Sequence, residues 1–331
     1  MKVRYLLGAV AALALTTAAA RAEYPERELQ GVIMWGAGGA TDTVARAVTP
    51  HVEEALGKKI VLVNKAGGAG AISTAFVNAA PADGYTLLYG AENPQVHGVL
   101  ALSELDYSAF YPVNVLARGI AVIVAGKDAP WNSVKELVED AQKRPGKIKM
   151  GSTGPGGLPH VVGALLNSVE AYKVTAVPFD GEGPGLTALQ GGHVDFMPVG
   201  LSAAGEHIKA GRVKVLGVVN DKEVPSLPGV APITKDFPGF SKYLPWGPFY
   251  GIWVKKDVPD AAKKTLVDAF RKGAENPQFT QLMVERGNVM MNISGAEADA
   301  FLKKWQAVTT WVLHDAGATK QSPEKFGIAR P

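Results

Sequence analysis

The sequence contains no cysteine, which excludes disulfides, thiolate metal sites and cysteine nucleophiles together. Metal-binding histidine spacing is absent too. His51, His97, His160, His193, His207 and His314 make neither H-x-x-x-H nor H-E-x-x-H. No serine stands in a G-x-S-x-G elbow; Ser152-Thr153-Gly154 does not fit it. Beyond the amino end, no run reaches the roughly 18 apolar residues of a membrane span. Nor is there a lasting charge imbalance. The 34 basic residues exceed the 31 acidic ones by three, and Lys2, Arg4 and Arg21 account for that excess. Those three belong to a targeting segment: a basic start, an apolar stretch from Leu6 to Ala19, and the small-x-small site Ala20-Arg21-Ala22. Export with cleavage after Ala22 leaves a neutral chain with no electrostatic case for nucleic acid or an anionic membrane surface. Without disulfides, that exported chain rests on burial alone, and its length suits two domains.

What is abundant is glycine, 38 residues in all, clustered where strands turn into helices. The apolar run Leu29 to Trp35 reads as a buried strand, followed by Gly36-Ala37-Gly38-Gly39-Ala40-Thr41-Asp42. Val44, Val48, Val52 and Leu56 then recur every fourth residue as one helical face, and Gly57 stops it. Pro50 should kink or shorten that helix. A helix start offers unpaired N–H groups and a positive dipole end, so it favours an anion. The loop departs from the dinucleotide pattern G-x-G-x-x-G and lacks the Lys-Ser/Thr pair of a phosphate loop.

Further strands are expected at Lys59–Val63 and Tyr85–Tyr89, with a small-residue helix from Ala71 to Ala80 between them. This β-α-β-α-β order belongs to a mostly parallel sheet. Ala91 to Asp106 is polar and irregular. Strands at Val113–Ala117 and Ile120–Ala125 precede a helix announced by the capping box Ser133-Val134-Lys135-Glu136. The opening pattern then returns: strand Ile148–Gly151, glycine loop Ser152 to Gly157, and a helix with Pro159 in its first turn. Strand, helix and strand repeat through Val174–Pro178, Gly185–Gln190 and Val194–Val199, with one more strand at Val213–Val219. Prolines 225, 228, 232, 238, 245 and 248 mark a connection between domains. Phe249 to Val254 is a strand, and three helices close the chain. The last starts at a second capping box, Ser294-Gly295-Ala296-Glu297.

The ordered set of loops resembles the Bug-type receptors, the extracytoplasmic solute receptors of tripartite tricarboxylate transporters. The similarity runs through Tyr24-Pro25, the loop Gly36 to Asp42, Asn64 to Gly70, and Ala82 to Leu88. It continues in Gly151 to Gly156 with His160, and in Gly191-Gly192-His193-Val194-Asp195. The resemblance implies a two-lobed, type II-like periplasmic-binding α/β fold, each lobe a mostly parallel sheet flanked by helices. The expected division is a leader over residues 1–22, a first lobe over 23–124 and 225–331, and a second over 125–224, with hinges near Ala125 and Asn220 to Pro228. It further implies a monomeric periplasmic receptor that needs no cofactor and catalyses nothing, holds a small organic acid between its lobes and serves membrane transporter subunits. A sensor reporting to a membrane signalling protein, or an enzyme gripping an acyl or phosphate substrate, are the alternatives.

By the same resemblance the ligand residues are Trp35, Ala37, Gly38, Gly39, Thr41 and Asp42 from one lobe. Ser152, Thr153, Gly154, Gly156, His160, Phe179, Asp180 and Asp195 come from the other. From the residues themselves, Asp42 caps its helix or touches ligand, His160 binds ligand or local backbone, and Asp195 binds ligand or holds a loop. Trp35, Trp246, Phe249 and Tyr250 either favour a ligand with a ring or are core. The chain departs from the family at Lys65-Ala66, where Arg-Pro is frequent, and at Phe179-Asp180, where a Tyr-Lys pair is. An acid in place of a cation argues for a monocarboxylate whose far end is neutral or a hydrogen-bond donor.

Overall fold

The apolar run at the start folds as β1 (Leu29–Ile33), and α1 (Ala40–Leu56) follows the glycine loop. Gly57 closes α1 at φ 65°, its N–H returning to the carbonyl of Glu53. Pro50 does not shorten the helix, because Val44, Val48 and Val52 are fully buried on its inner face. That packing outweighs a lost bond worth about 3 kcal/mol. The computed structural model describes residues 24–331, so the expected leader and its cleavage site lie outside the described residues.

β2 (Ile60–Asn64), α2 (Ala71–Ala79) and β3 (Thr86–Gly90) complete the first unit, β1 pairing in parallel with both neighbours. After α3 (His97–Leu100) come β4 (Phe110–Arg118) and β5 (Ala121–Gly126). α4 (Val134–Lys143) is capped as expected, Ser133 Oγ accepting from Glu136 N–H at 3.1 Å. The second unit is β6 (Lys149–Ser152), α5 (Leu158–Val169), β7 (Thr175–Pro178), α6 (Glu182–Gln190) and β8 (Phe196–Gly200). α7 (Leu201–Lys209), β9 (Val213–Val219) and α8 (Ile233–Asp236) follow. The chain ends with β10 (Phe249–Lys255), α9 (Asp260–Ala274), α10 (Pro277–Glu285), β11 (Val289–Ile293) and α11 (Gly295–Asp315). The second expected capping box does not form. Ser294 Oγ is buried without a partner, and Gly295 turns at φ 53°, away from the helical start such a box requires.

Two sheets result, ordered β11-β4-β10-β3-β1-β2 and β7-β6-β8-β5-β9. Both are mixed, which corrects the expectation of mostly parallel sheets. β10 runs antiparallel to β3 and β4, and β5 antiparallel to β8 and β9. The cause is the connection between lobes: β5 enters the second sheet, and β10 re-enters the first, each inserted against strands of a parallel unit. β11, on the edge beside β4, was not expected from the sequence.

The sheets change at Gly119–Ile120, a few residues before the expected boundary. On the return, α8 packs on β9 and α4, and the single turn Pro238–Tyr243 packs on α5. The second sheet's layer therefore extends past residue 224, and the return passage is the segment 244–248. At the centre of the first lobe Trp253 stacks on Tyr107, with ring centroids 3.9 Å apart, and Phe249 packs edge-on to Phe301 and Trp305. Trp246 donates its indole N–H to Thr309 Oγ1. Trp246 and Phe249 are thus core residues. Among the described residues, no helix is long and apolar enough to cross a membrane.

Candidate ligand cleft

The two glycine loops face each other. Gly36 N–H donates to the carbonyl of Asp180 at 2.8 Å, joining the first loop to the strand-to-helix turn before α6. Ala40 N–H, at the start of α1, donates to Glu182 Oε2 at 3.1 Å, and Gly200 N–H donates to Glu182 Oε1 at 2.7 Å. One carboxylate from the second lobe therefore sits on the positive end of α1 and ties it to the end of β8. Burial raises the Glu182 pKa, against the effect of those two donors.

Behind these contacts lies a cavity of about 20 Å³, room for one water-sized sphere. Gly39, Ala40 and Thr41 reach it from the start of α1, and Thr153 and Leu158 from the loop and start of α5. Trp35, Glu92, Glu182 and Tyr250 complete much of its wall. Glu92 and Tyr250 are each 3 % exposed, and Glu92 Oε2 and the Tyr250 hydroxyl have no hydrogen-bond partner. Burial pushes the Glu92 carboxyl up to about 8, and the neighbouring Glu182 acts in the same direction. Thr153 also borders an open groove of about 560 Å³ shared by Ala69, Gly154, Phe179 and Asp180.

The expected site residues separate into four groups. Trp35, Gly39, Thr41 and Thr153 line the cavity, while Gly154, Phe179 and Asp180 line the groove outside it. Asp180 is exposed, and its part in joining the lobes is played by its backbone carbonyl. Also in this second group, outside the cavity, Ala37 and Gly38 are exposed on the first loop against Gly183, at the start of α6.

The third group stands behind the loops and shapes them. Asp42 accepts from Gly38 N–H at 3.0 Å, Arg46 Nε at 2.9 Å and Asn64 Nδ2 at 2.9 Å. Burial works against its charge, but those donors hold its pKa below the usual carboxylate value. Ser152 Oγ accepts from Gly154 N–H at 3.2 Å, and His160 Nδ1 accepts from Gly156 N–H at 2.9 Å. Burial lowers the His160 pKa, which suits a neutral ring accepting at Nδ1. Gly156 adopts φ 77°, and any Cβ there would stand 2.6 Å from Val96 of the other lobe. Asp195 forms the fourth group alone. Its carboxylate accepts from Lys149 N–H at 2.7 Å, tying β6 to β8 at the end of the sheet remote from the cavity. There it is a strand clip.

Comparison with known proteins places this geometry. Residues 44–311 match the family described as the tripartite tricarboxylate transporter family receptor. The chain belongs to this family. It is similar to a UPF0065 protein from the tcbD–tcbE intergenic region of Pseudomonas sp. strain P51, 30% identical over 285 residues and covering 83% of each chain. Among solved structures it is similar to the periplasmic binding protein BugD, with a TM-score of 0.84, 29% identity and coverage of 90% of this chain and 100% of that one. An R. palustris protein solved with adipate gives a TM-score of 0.83 at 25% identity, covering 89% and 99%. As in that family, the chain is a solute-binding receptor with the two-lobed periplasmic fold.

Among the residues of this receptor's cavity wall that were not singled out as site residues from the sequence are Glu92, Glu182 and Leu158. Glu182 lies in Gly181-Glu182-Gly183, at the start of α6 and a short turn after β7. An acid among glycines at a helix start was the available signal, since such a carboxylate is placed to meet a second helix dipole. Tyr250 was noted only as part of an aromatic cluster, and its hydroxyl is the cluster's contribution to the cavity.

Proposed function

We propose that this chain captures one small organic acid between its lobes in the periplasm and delivers it, as a monomer, to the membrane subunits of a tripartite transporter. The observation that carries the reading is the convergence of two helix starts, α1 from one lobe and α5 from the other, on one cavity. A carboxylate there meets the N–H groups and positive dipole end of α5, while α1, whose own start is held by Glu182, closes over it, so binding and closure reinforce each other. Trp35, Gly39, Thr41 and Thr153 are the contacts from the expected set. The adipate-bound relative supports an organic acid as the ligand class. The reading assigns the protein no reaction.

A thermal-shift screen of small carboxylic acids tests it. At a hundredfold excess over Kd, a ligand confined to the native cleft stabilises by about 2.7 kcal/mol. At least one acid is expected to raise the melting temperature in proportion to log concentration. A flat response across the screen would remove the carboxylate reading. Amino-terminal sequencing of the exported protein is expected to begin at Glu23; Met1 retained on membrane-bound material would overturn the periplasmic placement.

A further inference from the structure

The cavity wall contains two carboxyl groups and no basic side chain. That is an unusual lining for a pocket that takes up an organic acid. Glu182 is already satisfied by Ala40 and Gly200, and so occupies the positive end of α1 itself. Glu92 is different: its Oε2 is buried and unpartnered, as is the Tyr250 hydroxyl across the same cavity. A buried acceptor left unmatched costs free energy and is a place for a complementary donor. With one of the two helix starts neutralised from within, the site keeps the electrostatic capacity for a single ligand carboxylate.

We propose that Glu92, flanked by Tyr250 and Glu182, is a specificity subsite for a nitrogen-bearing donor, an ammonium or N–H group. The ligand is then a monocarboxylate with such a group at its other end. This rests on the receptor reading above and narrows it. The cavity as it stands holds one water-sized sphere, so the ligand enters with the lobes further apart, its carboxylate toward Leu158 and Thr153 at the start of α5 and its nitrogen toward Glu92. A second carboxylate in that position would meet two acids at close range. Tyr107 and Tyr250 are the other titratable groups facing Glu92, and burial keeps both phenols protonated. Before binding, the Glu92 carboxyl therefore holds its own proton near neutral pH, its pKa standing at about 8. An ammonium at Oε2 displaces that proton, so binding releases H⁺ to the buffer.

Isothermal titration of the mature protein with matched probes tests the proposal: γ-aminobutyrate against butyrate, β-alanine against propionate, and succinate as the dicarboxylate. Each is titrated at pH 7 in two buffers of different ionisation enthalpy. At least one amino acid is expected to bind about tenfold or more tighter than its nitrogen-free counterpart, with proton release. Glu92→Gln should abolish the release and at least most of that preference. Its melting curve and circular dichroism report whether it is folded, and Glu92→Asp, which keeps the carboxyl group, should restore part of the preference. If butyrate, propionate or succinate binds as tightly as the amino compounds, without proton release, the subsite is overturned and the receptor stands. If Glu92→Gln leaves the preference intact, the nitrogen lies elsewhere and the proposal fails. If neither these probes nor any acid of the wider screen binds, the receptor reading itself falls.

Discussion

In a Gly183→Ala variant, affinity for the best acid from the screen should fall by about a hundredfold or more, with both lobes still folded. Gly183 lies in the first turn of α6, without a left-handed backbone, where alanine is the better helix former. Within its own lobe the substitution is harmless. The obstacle comes from the opposite lobe. A Cβ at this position would stand 2.1 Å from the carbonyl oxygen of Ala37 and 3.1 Å from the carbonyl carbon of Gly38. Both atoms are backbone of the first glycine loop and cannot rotate aside. The added methyl group therefore acts only when the lobes meet, and it separates the Gly36–Asp180 and Ala40–Glu182 contacts that hold them. Small-angle scattering at saturating ligand should show contraction of the wild type and none in the variant. Equal contraction in both would show that the bound state does not bring α6 against this loop.

The second large effect is on stability with pH, and it comes from Glu92. Its folded pKa of about 8 stands above the ordinary glutamate value of 4.5. Between those values the folded chain holds a proton that the unfolded chain has released, so stability falls as pH rises through that window. Glu182 contributes in the same direction. Asp42, with its pKa lowered, acts oppositely: its contribution is present at neutral pH and is lost as pH falls through the folded value. The wild type should therefore melt highest on the acid side of neutral and lose on the order of 3–5 kcal/mol between about pH 5 and pH 9 on account of Glu92. Glu92→Gln should remove most of that slope, melting about 5 °C higher than wild type at pH 9 and close to it at pH 5. Parallel slopes in the two proteins would mean that Glu92 ionises freely in the fold.

Local structure was legible in the sequence wherever local chemistry decides it. The alternation at Val44, Val48 and Val52, the glycine at 57 and the Ser133 cap all appear where expected. The direction of β5 and β10 was not, since a strand's local pattern says which face it buries and nothing about which neighbour it meets. For the same reason the crossings were read near Ala125 and at Asn220 to Pro228, whereas the sheets change at Gly119–Ile120 and the chain returns to the first sheet through 244–248. At the cleft, residues of both glycine loops line one cavity, but the acid at 180 was weighed and the one at 182 passed over. Which of two carboxylates turns inward depends on the start of α6, set by Gly181 at φ 141°, a torsion no neighbouring residue announces.

The two passages between the lobes do not run separately. The pairing of β4 with β10 continues beyond Arg118 and Phe249, as Gly119 N–H donates to Pro248 O at 2.7 Å. Gly247 lies against Gly119 so closely that a Cβ there would meet its carbonyl oxygen at 2.2 Å. Two ropes fastened side by side make one hinge pin. Lobes joined in this way can swing about that pin, but sliding or twisting apart would tear the shared ladder. If the lobes close on a solute as proposed, occupancy of the cleft becomes a single angle. Any partner touching both lobes would then have only that angle to measure, and would need no contact with the solute to know whether one is aboard.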